Sequence, residues 1–329
     1  MAAARSGGRL RAVAVLVLLA AFGVGLVAAA IGLIDLAAGK RTRLVIGTKA
    51  FTESIILGEI AAQWLEQNGV GVDRRFYLGA TNISFEALRS GSIDMYPEYT
   101  GTGLIAILDH PPVSPRSAVL PMLRAEFEKR YGLEWLSPLG FNNTYALALP
   151  ASLADRLHVS TISDLLAHPD LRAGFASEFL ARDDGWPGLS RAYGLHFTKP
   201  PGSMEAGLMY AAAASDQLDV ISAYSTDGRV ATQHLKVLED DRGFFPPYEA
   251  AFIVRPDALA RCPRAREILE QLAGLIDEPT MRHMNADVDF GNRSPEQVAA
   301  EFLVTKGPRA RARATSAGAG AGAGAGDSP

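Results

Sequence analysis

LVIGTKAFTESIILGEIAAQWLEQNGVGVDRRFYLGATNISFEALRSGSIDMYPEYTGTGLIAIL, residues 44–108, decides the fold. Leu44-Val-Ile-Gly is a short apolar run ending in a turn, the pattern of a buried strand. Over residues 52–68, Ile55, Ile56, Ile60, Trp64 and Leu65 recur at helical spacing, and Gly69 stops the run. Residues 70–78 read as a second strand and 83–90 as a helix closed by Gly91. Residues 93–96 read as a third strand, and 103–108 begin another helix. This strand–helix alternation predicts an α/β fold with a parallel sheet and helices on its faces.

Outward from that stretch, prolines at Pro111, Pro112 and Pro115 mark a loop, and an amphipathic helix follows over 118–131. A strand at 145–148 ends at Pro150, after which the alternation restarts. Helical signals fall at 162–166, 188–193 and 204–214, and strand signals at 219–223, 236–238 and 251–254. The C-terminal part reads as three helices, over 263–275, 278–287 and 294–306. After Gly307 an Arg/Ala segment runs into an Ala-Gly repeat. Such a tail buries too little apolar surface to offset its ordering entropy and is expected to be disordered.

Charge is uneven. The first 43 residues have a balance of +5 and the tail from Thr305 one of +3; the total is −4, so the body between them carries −12. An acidic body argues against nucleic acid as a partner. Residues 12–34 form an uncharged apolar run of 23 residues behind Arg5, Arg9 and Arg11. That length suits a membrane-spanning helix with the N-terminus in the cytoplasm and the body exported. It exceeds the usual apolar core of a cleaved signal, although Val27-Ala28-Ala29 keeps cleavage open. Cys262 is the only cysteine, so the chain has neither an internal disulfide nor a lipoprotein cysteine after the apolar run.

No enzyme signature is present. The six histidines have no metal-ligand spacing, and there is no nucleophile elbow, no P-loop and no dinucleotide fingerprint followed by an acidic residue. The acidic pairs Asp183-Asp184 and Asp240-Asp241 read as solvated turn residues. What remains is a set of loops at the carboxyl ends of strands, where open parallel sheets bind ligands. Lys49, Tyr99, Thr102 and Tyr224 fall there. Tyrosine faces hold a cation that donates no hydrogen bonds. The turn Thr100-Gly-Thr-Gly opens a helix whose free N–H groups favour an anion. Together these suit a zwitterion.

The motifs IGTKAFTESIILGEI, LGATNISFEALRSGSIDMYPEYTGTGL, GFNNTYALAL, AYSTDGR and VLEDDRGFFPPYEAA resemble the substrate-binding proteins of ABC importers for glycine betaine, carnitine and choline. The resemblance runs from about Arg43 to Gly307. It implies an α/β, two-lobed type II periplasmic-binding-protein fold, a Venus flytrap with two hinge crossovers, here preceded by a transmembrane or signal helix. Lobe 1 would be residues 43–146 plus 249–306, lobe 2 residues 147–248, with 1–42 as cytoplasmic stub and anchor or signal and 307–329 as tail. The resemblance implies an ammonium cage of Tyr99, Tyr145, Tyr224 and Tyr248, with Lys49, Thr102 and Arg182 on the carboxylate side and Asn143 as a polar lining residue. It implies an extracytoplasmic monomer without cofactor or catalysis, whose partners are a quaternary-ammonium ligand and ABC permease subunits.

Other readings stay open at this point. Lys49 reads equally as a solvated lysine, Thr102 as a helix cap, and Arg182 as a surface partner of Asp183 or Asp184. Tyr77, Tyr96, Tyr131, Tyr193 and Tyr210 are assigned to packing. A receptor for choline, carnitine or ergothioneine, or a membrane-anchored sensor, would use the same motifs. The apolar run yields the first prediction. The full-length protein should fractionate with membranes and resist carbonate extraction; a soluble mature chain beginning near residue 30 or 40 would instead show cleavage.

Overall fold

The computed structural model describes residues 43–111, 113 and 115–312. Its strands are β1 (Leu44–Gly47), β2 (Val72–Arg75), β3 (Met95–Tyr99), β4 (Glu134–Trp135), β5 (Tyr145–Pro150), β6 (Ala173–Ala176), β7 (Gly202–Met204), β8 (Val220–Tyr224), β9 (Leu235–Val237) and β10 (Ala250–Val254). They form two five-stranded sheets, ordered β2-β1-β3-β10-β4 and β7-β6-β8-β5-β9. The chain passes to the second sheet between β4 and β5 and returns between β9 and β10.

Both sheets are covered on both faces. On β10, Phe252 enters a core with Ile46, Ile56 and Trp64, while its neighbour Ile253 enters another with Ile93, Phe127 and Trp135. On β5, Leu147 joins Phe175, Phe179 and Tyr193, and Ala148 joins Met209 and Ile221. The two-residue period of a strand sends successive apolar residues to opposite layers. The helix Thr52–Gln67 is buried along most of its length, because Pro295–Thr305 packs on the side turned away from the sheet.

The expectation of a parallel sheet holds for part of each sheet. β1 pairs in parallel with β2 and β3, and β6 with β7 and β8. β10 runs antiparallel to β3 and β4, and β5 antiparallel to β8 and β9. Each antiparallel strand follows a crossing from the other sheet. It lies between two strands that run the other way. The register places Tyr145 opposite Tyr224 and Ala250 opposite Tyr99.

Local signals were weaker elsewhere. The short strands β4, β6 and β7 and the helices Ala151–Leu157 and Ser177–Ala181 lack a readable period. The expected helix at 103–108 is a π-helical turn, Gly103–Ile107, after one turn at Thr100–Thr102. Tyr77 does not pack: it is 64% exposed at a φ of 60°. Asp240 is no free turn residue; it accepts from Tyr193 Oη at 2.6 Å and from the Phe244 and Phe245 amides. Among the described residues no helix is long and apolar enough to cross a membrane. The apolar run at 12–34 and residues 313–329 of the tail lie outside them; residues 308–312, expected to be disordered, are helical, because Arg309 lies over the Trp64 ring at 5.3 Å and donates to the Gln67 carbonyl.

The helix Gly228–Thr232, which follows β8, packs closely on the C-terminal helix Glu278–Asp289. A Cβ on Gly228 would lie 2.7 Å from the Ala286 nitrogen and 2.8 Å from its Cα. Backbone atoms cannot swing aside as a side-chain tip does. Gly228→Ala is therefore expected to cost about 1–3 kcal/mol of stability, as overpacking does. Urea unfolding measures it, and an unchanged midpoint would show that the helix shifts freely.

Candidate functional site

The ends of β3 and β8, the loop after β1 and the two crossings between the sheets enclose a cavity of about 850 Å³. Lys49, Tyr99, Thr102, Asn143, Tyr224 and Tyr248 line it. Of the expected site residues, Tyr145 and Arg182 are not in its wall.

Tyr99 closes β3 and is buried, its hydroxyl donating to Glu53 Oε1 at 2.6 Å. Phe51 stacks beside it, ring centroids 6.3 Å apart, and also lines the cavity. Tyr248 sits in the return crossing. Its amide donates to Asn142 Oδ1 and its carbonyl accepts from the Asn143 amide, both at 3.0 Å. Its ring lies against Gly101, where a Cβ would meet the ring at 2.5 Å. Thr100 clamps the same turn: its hydroxyl donates to the Pro247 carbonyl and accepts from the Glu249 amide. The Thr100 amide donates to the Glu249 carbonyl, so it is not the free anion-binding group that the Thr100-Gly-Thr-Gly motif suggested.

Tyr224 is 45% exposed and faces the cavity. Tyr145, its register partner, stacks on it with centroids 5.0 Å apart and planes at 22°. Tyr145 itself lines a second cavity, of about 430 Å³, with Ser225 and Arg282. In this arrangement it backs a wall of the site. Burial and the neighbouring Tyr224 push its phenol well above the ordinary range, so it stays neutral.

The expected cations are both engaged. Lys49 Nζ donates to Glu98 Oε1 at 2.5 Å and lies 5.4 Å from the Tyr99 ring centroid. Glu98 is fully buried and also accepts from Tyr96 Oη. Arg182 makes two hydrogen bonds of 2.7 Å to Asp184 and pairs with Glu178 at 3.3 Å. Its guanidinium is 6.0 Å from the Tyr145 ring. The Asp184 pairing noted as an alternative from the sequence is the contact observed.

The lining groups that escaped the sequence reading include Glu53, Arg229 and Asn285. Glu53, 3% exposed, accepts from Tyr99, from Asn143 Nδ2 at 3.0 Å and from Asn285 Nδ2 at 2.9 Å. Burial raises its carboxyl above the ordinary range, and these hydrogen bonds pull it back. Arg229 pairs with Asp227 at 2.6 Å and lies over the Tyr210 ring at 4.3 Å. Asn285 follows Glu53 by 232 positions, so no local pattern links them. Glu53 reads from sequence only as a first-turn acid favoured by the helix dipole. Among the described residues no cluster of His, Cys, Asp and Glu is arranged to hold a metal ion.

The Gly101 contact gives a direct test of the wall. Gly101→Ala must displace the Tyr248 ring, and should weaken binding of a cationic ligand by about tenfold, the equivalent of one lost cation–π contact. Tyr248→Phe, which keeps the ring, should be tolerated. Unchanged affinity in Gly101→Ala would remove Tyr248 from the wall.

Residues 42–305 match the family described as the substrate binding domain of ABC-type glycine betaine transport systems. The chain is 35% identical over 291 residues to the ergothioneine transport permease/ergothioneine binding protein EgtU of Helicobacter pylori. That match covers 88% of this chain and 52% of the relative, so the chain spans about half of that protein's length. It is 37% identical over 283 residues to the glycine-betaine-binding protein of Pseudomonas aeruginosa, covering 83% of this chain and 90% of the other. A crystal structure of a glycine betaine/carnitine/choline ABC transporter has the same fold at a TM-score of 0.76 and 32% identity, covering 80% of this chain and 98% of that one. The two-sheet architecture and the match over nearly all of the described body agree: the chain belongs to the substrate-binding proteins of ABC-type glycine betaine transport systems.

Proposed function

We propose that this chain captures a quaternary-ammonium osmolyte, glycine betaine or a related betaine, outside the cytoplasm and delivers it to the permease subunits of an ABC importer. The observation that carries the reading is the convergence of Tyr99, Tyr224 and Tyr248 on one cavity from three separate segments of the chain. A quaternary ammonium donates no hydrogen bonds, so ring faces are the surface that favours it. Each desolvated contact of this kind contributes about 2 kcal/mol, against about 0.5–1 kcal/mol when exposed. On this reading the protein is a monomeric binding protein without cofactor or catalysis, tethered through residues 12–34.

The two sheets are the cores of two lobes, close to residues 43–146 with 249–306 and residues 147–248, with the first boundary drawn back to residue 144 because Tyr145 and Ala146 already pair in the second sheet. The cavity is far larger than a trimethylammonium group, as an open cleft should be. Tyr99 ends a strand of the first sheet and Tyr224 one of the second. Closure brings their faces together, and the ligand favours the closed state by the contacts it gains there.

Phe51 supports a second ligand class. Its ring offers a flat face beside Tyr99, suited to a betaine that carries an aromatic ring, and the EgtU relative is named for ergothioneine. Calorimetric titration of the full chain with glycine betaine, carnitine, choline and ergothioneine decides between them.

Arg182 is engaged by Asp184 and lies outside the cavity wall, and the Thr100 amide is engaged by Glu249, so the carboxylate side rests on Thr102 and on the ammonium donors of Lys49 beyond the one given to Glu98. The preference for glycine betaine over choline should then be about tenfold, the worth of one hydrogen bond to a charged group. Tyr224→Ala should weaken betaine binding by about tenfold or more, and Phe should restore most of it. If none of the four ligands binds, or Tyr224→Ala binds betaine as the parent does, the reading is wrong.

A further inference from the structure

Five charged side chains are buried among the described residues: Lys49, Glu53, Glu59, Asp94 and Glu98. Lys49 pairs with Glu98, Glu59 with Arg74 and Asp94 with Arg261. Glu53 lies in the ligand cavity, and among the described residues no basic nitrogen comes within 4 Å of it. A buried charge without a counter-ion is costly to keep, and such groups cluster at functional sites.

The hydrogen-bond donors around Glu53 favour its ionised form, against the burial that raises its carboxyl. A carboxylate only accepts hydrogen bonds, and three donors point at this one: Tyr99 Oη, Asn143 Nδ2 and Asn285 Nδ2. Both asparagines turn their NH₂ groups inward, which leaves Asn143 Oδ1 and Asn285 Oδ1 buried without a partner. Burial and the adjacent carboxylate hold the Tyr99 phenol well above its ordinary range, so Tyr99 remains a donor. A short hydrogen bond to a carboxylate draws the phenol proton away from the ring and leaves the ring face more negative.

We propose that Glu53 is the counter-charge for the ligand's ammonium, a positioning residue that acts through the Tyr99 ring and from the cavity wall to select a permanent cation over a neutral group of the same shape. The inference rests on the betaine reading and names the element of the site that recognises charge. Aromatic faces alone also accept an apolar group by burying its surface. Glu53 adds the Coulomb attraction that a tert-butyl group cannot answer.

The groups facing Glu53 come from several elements. Lys49, already paired with Glu98 of β3, follows β1, and Tyr99 ends β3. Asn285 and Asp289 lie on Glu278–Asp289, and Asp289 accepts from Thr52 Oγ1 at 2.5 Å. Thr226 and the Asp227–Arg229 pair line the cavity from the second sheet's side. No histidine lines the cavity among the described residues. The folded-state carboxyl lies above its unfolded value. Folding therefore binds a proton more tightly, and the ionised group costs stability as pH rises through its range. Glu53→Gln should accordingly remain folded at neutral pH, which thermal melting checks.

The test titrates the full-length chain and its Glu53→Gln and Glu53→Asp variants with glycine betaine and with 3,3-dimethylbutanoate, the carbon isostere that keeps the carboxylate and lacks the positive nitrogen. Glu53→Gln should weaken betaine about tenfold or more, while the isostere binds as well as before or better. Glu53→Asp should restore part of the betaine affinity. In the unmodified protein, betaine affinity should fall as pH drops through the range where the Glu53 carboxyl takes up its proton, which lies above the ordinary carboxylate range, and in Glu53→Gln it should be flat. Equal losses for both ligands would assign Glu53 a merely structural role. Unchanged betaine affinity, or the same pH profile in both proteins, would also overturn the proposal. A parent protein that binds no betaine removes the functional reading itself, a result distinct from either.

Discussion

The site depends on the hydrogen-bonded neck where the two crossings meet between the sheets. Asn142 bridges Glu249, the Asn143 amide donates to the Tyr248 carbonyl, and the Ser225 amide donates to the Thr144 carbonyl. Ser225 Oγ donates back to the Asn142 carbonyl at 2.8 Å and accepts from the Thr144 amide at 3.1 Å. Buried backbone polar groups must be paired, and here the crossings pair with one another and with the end of β8. Extended residues alternate sides. Asn143, Thr226 and Tyr248 therefore face the larger cavity, and Asn142, Thr144, Ser225 and Pro247 the smaller one behind it. The ligand wall and the path between the sheets are opposite faces of the same few residues.

That arrangement explains why the charged groups of the site are held rather than free. Lys49 sits on Glu98 and Arg229 on Asp227. A buried ion pair contributes little net stability, because desolvation offsets most of its Coulomb energy, but removing one partner strands the other. Such pairs fix side-chain positions at the cavity edge. Glu53 differs in having only neutral donors around it, which leaves its charge to act on whatever enters.

Much of the fold was legible in residues 44–108, because β1, the helix Thr52–Gln67 and β3 each carry their own period and end in turns. The tyrosines at 99, 224 and 248 were legible from their place beside turn motifs. The direction of β5 and β10 was not, since it follows from crossings that no short window contains. Arg182 lies outside the cavity wall, where two neighbouring carboxylates, Asp184 and Glu178, take its guanidinium locally. Tyr145 carries the same signal as Tyr224, yet the register stacks it behind that ring and away from the larger cavity. Glu53 was hidden by an ordinary helical position and by partners up to 232 residues away.

The central claim is that a quaternary ammonium rests on ring faces brought together at this neck. A crystal structure of the protein with glycine betaine tests it most directly. The account predicts the trimethylammonium group enclosed by the Tyr99, Tyr224 and Tyr248 rings, with the Glu53 carboxylate behind Tyr99. Betaine seated in the smaller cavity beside Arg282 and Tyr145, or with its carboxylate where the ammonium is placed here, would contradict it.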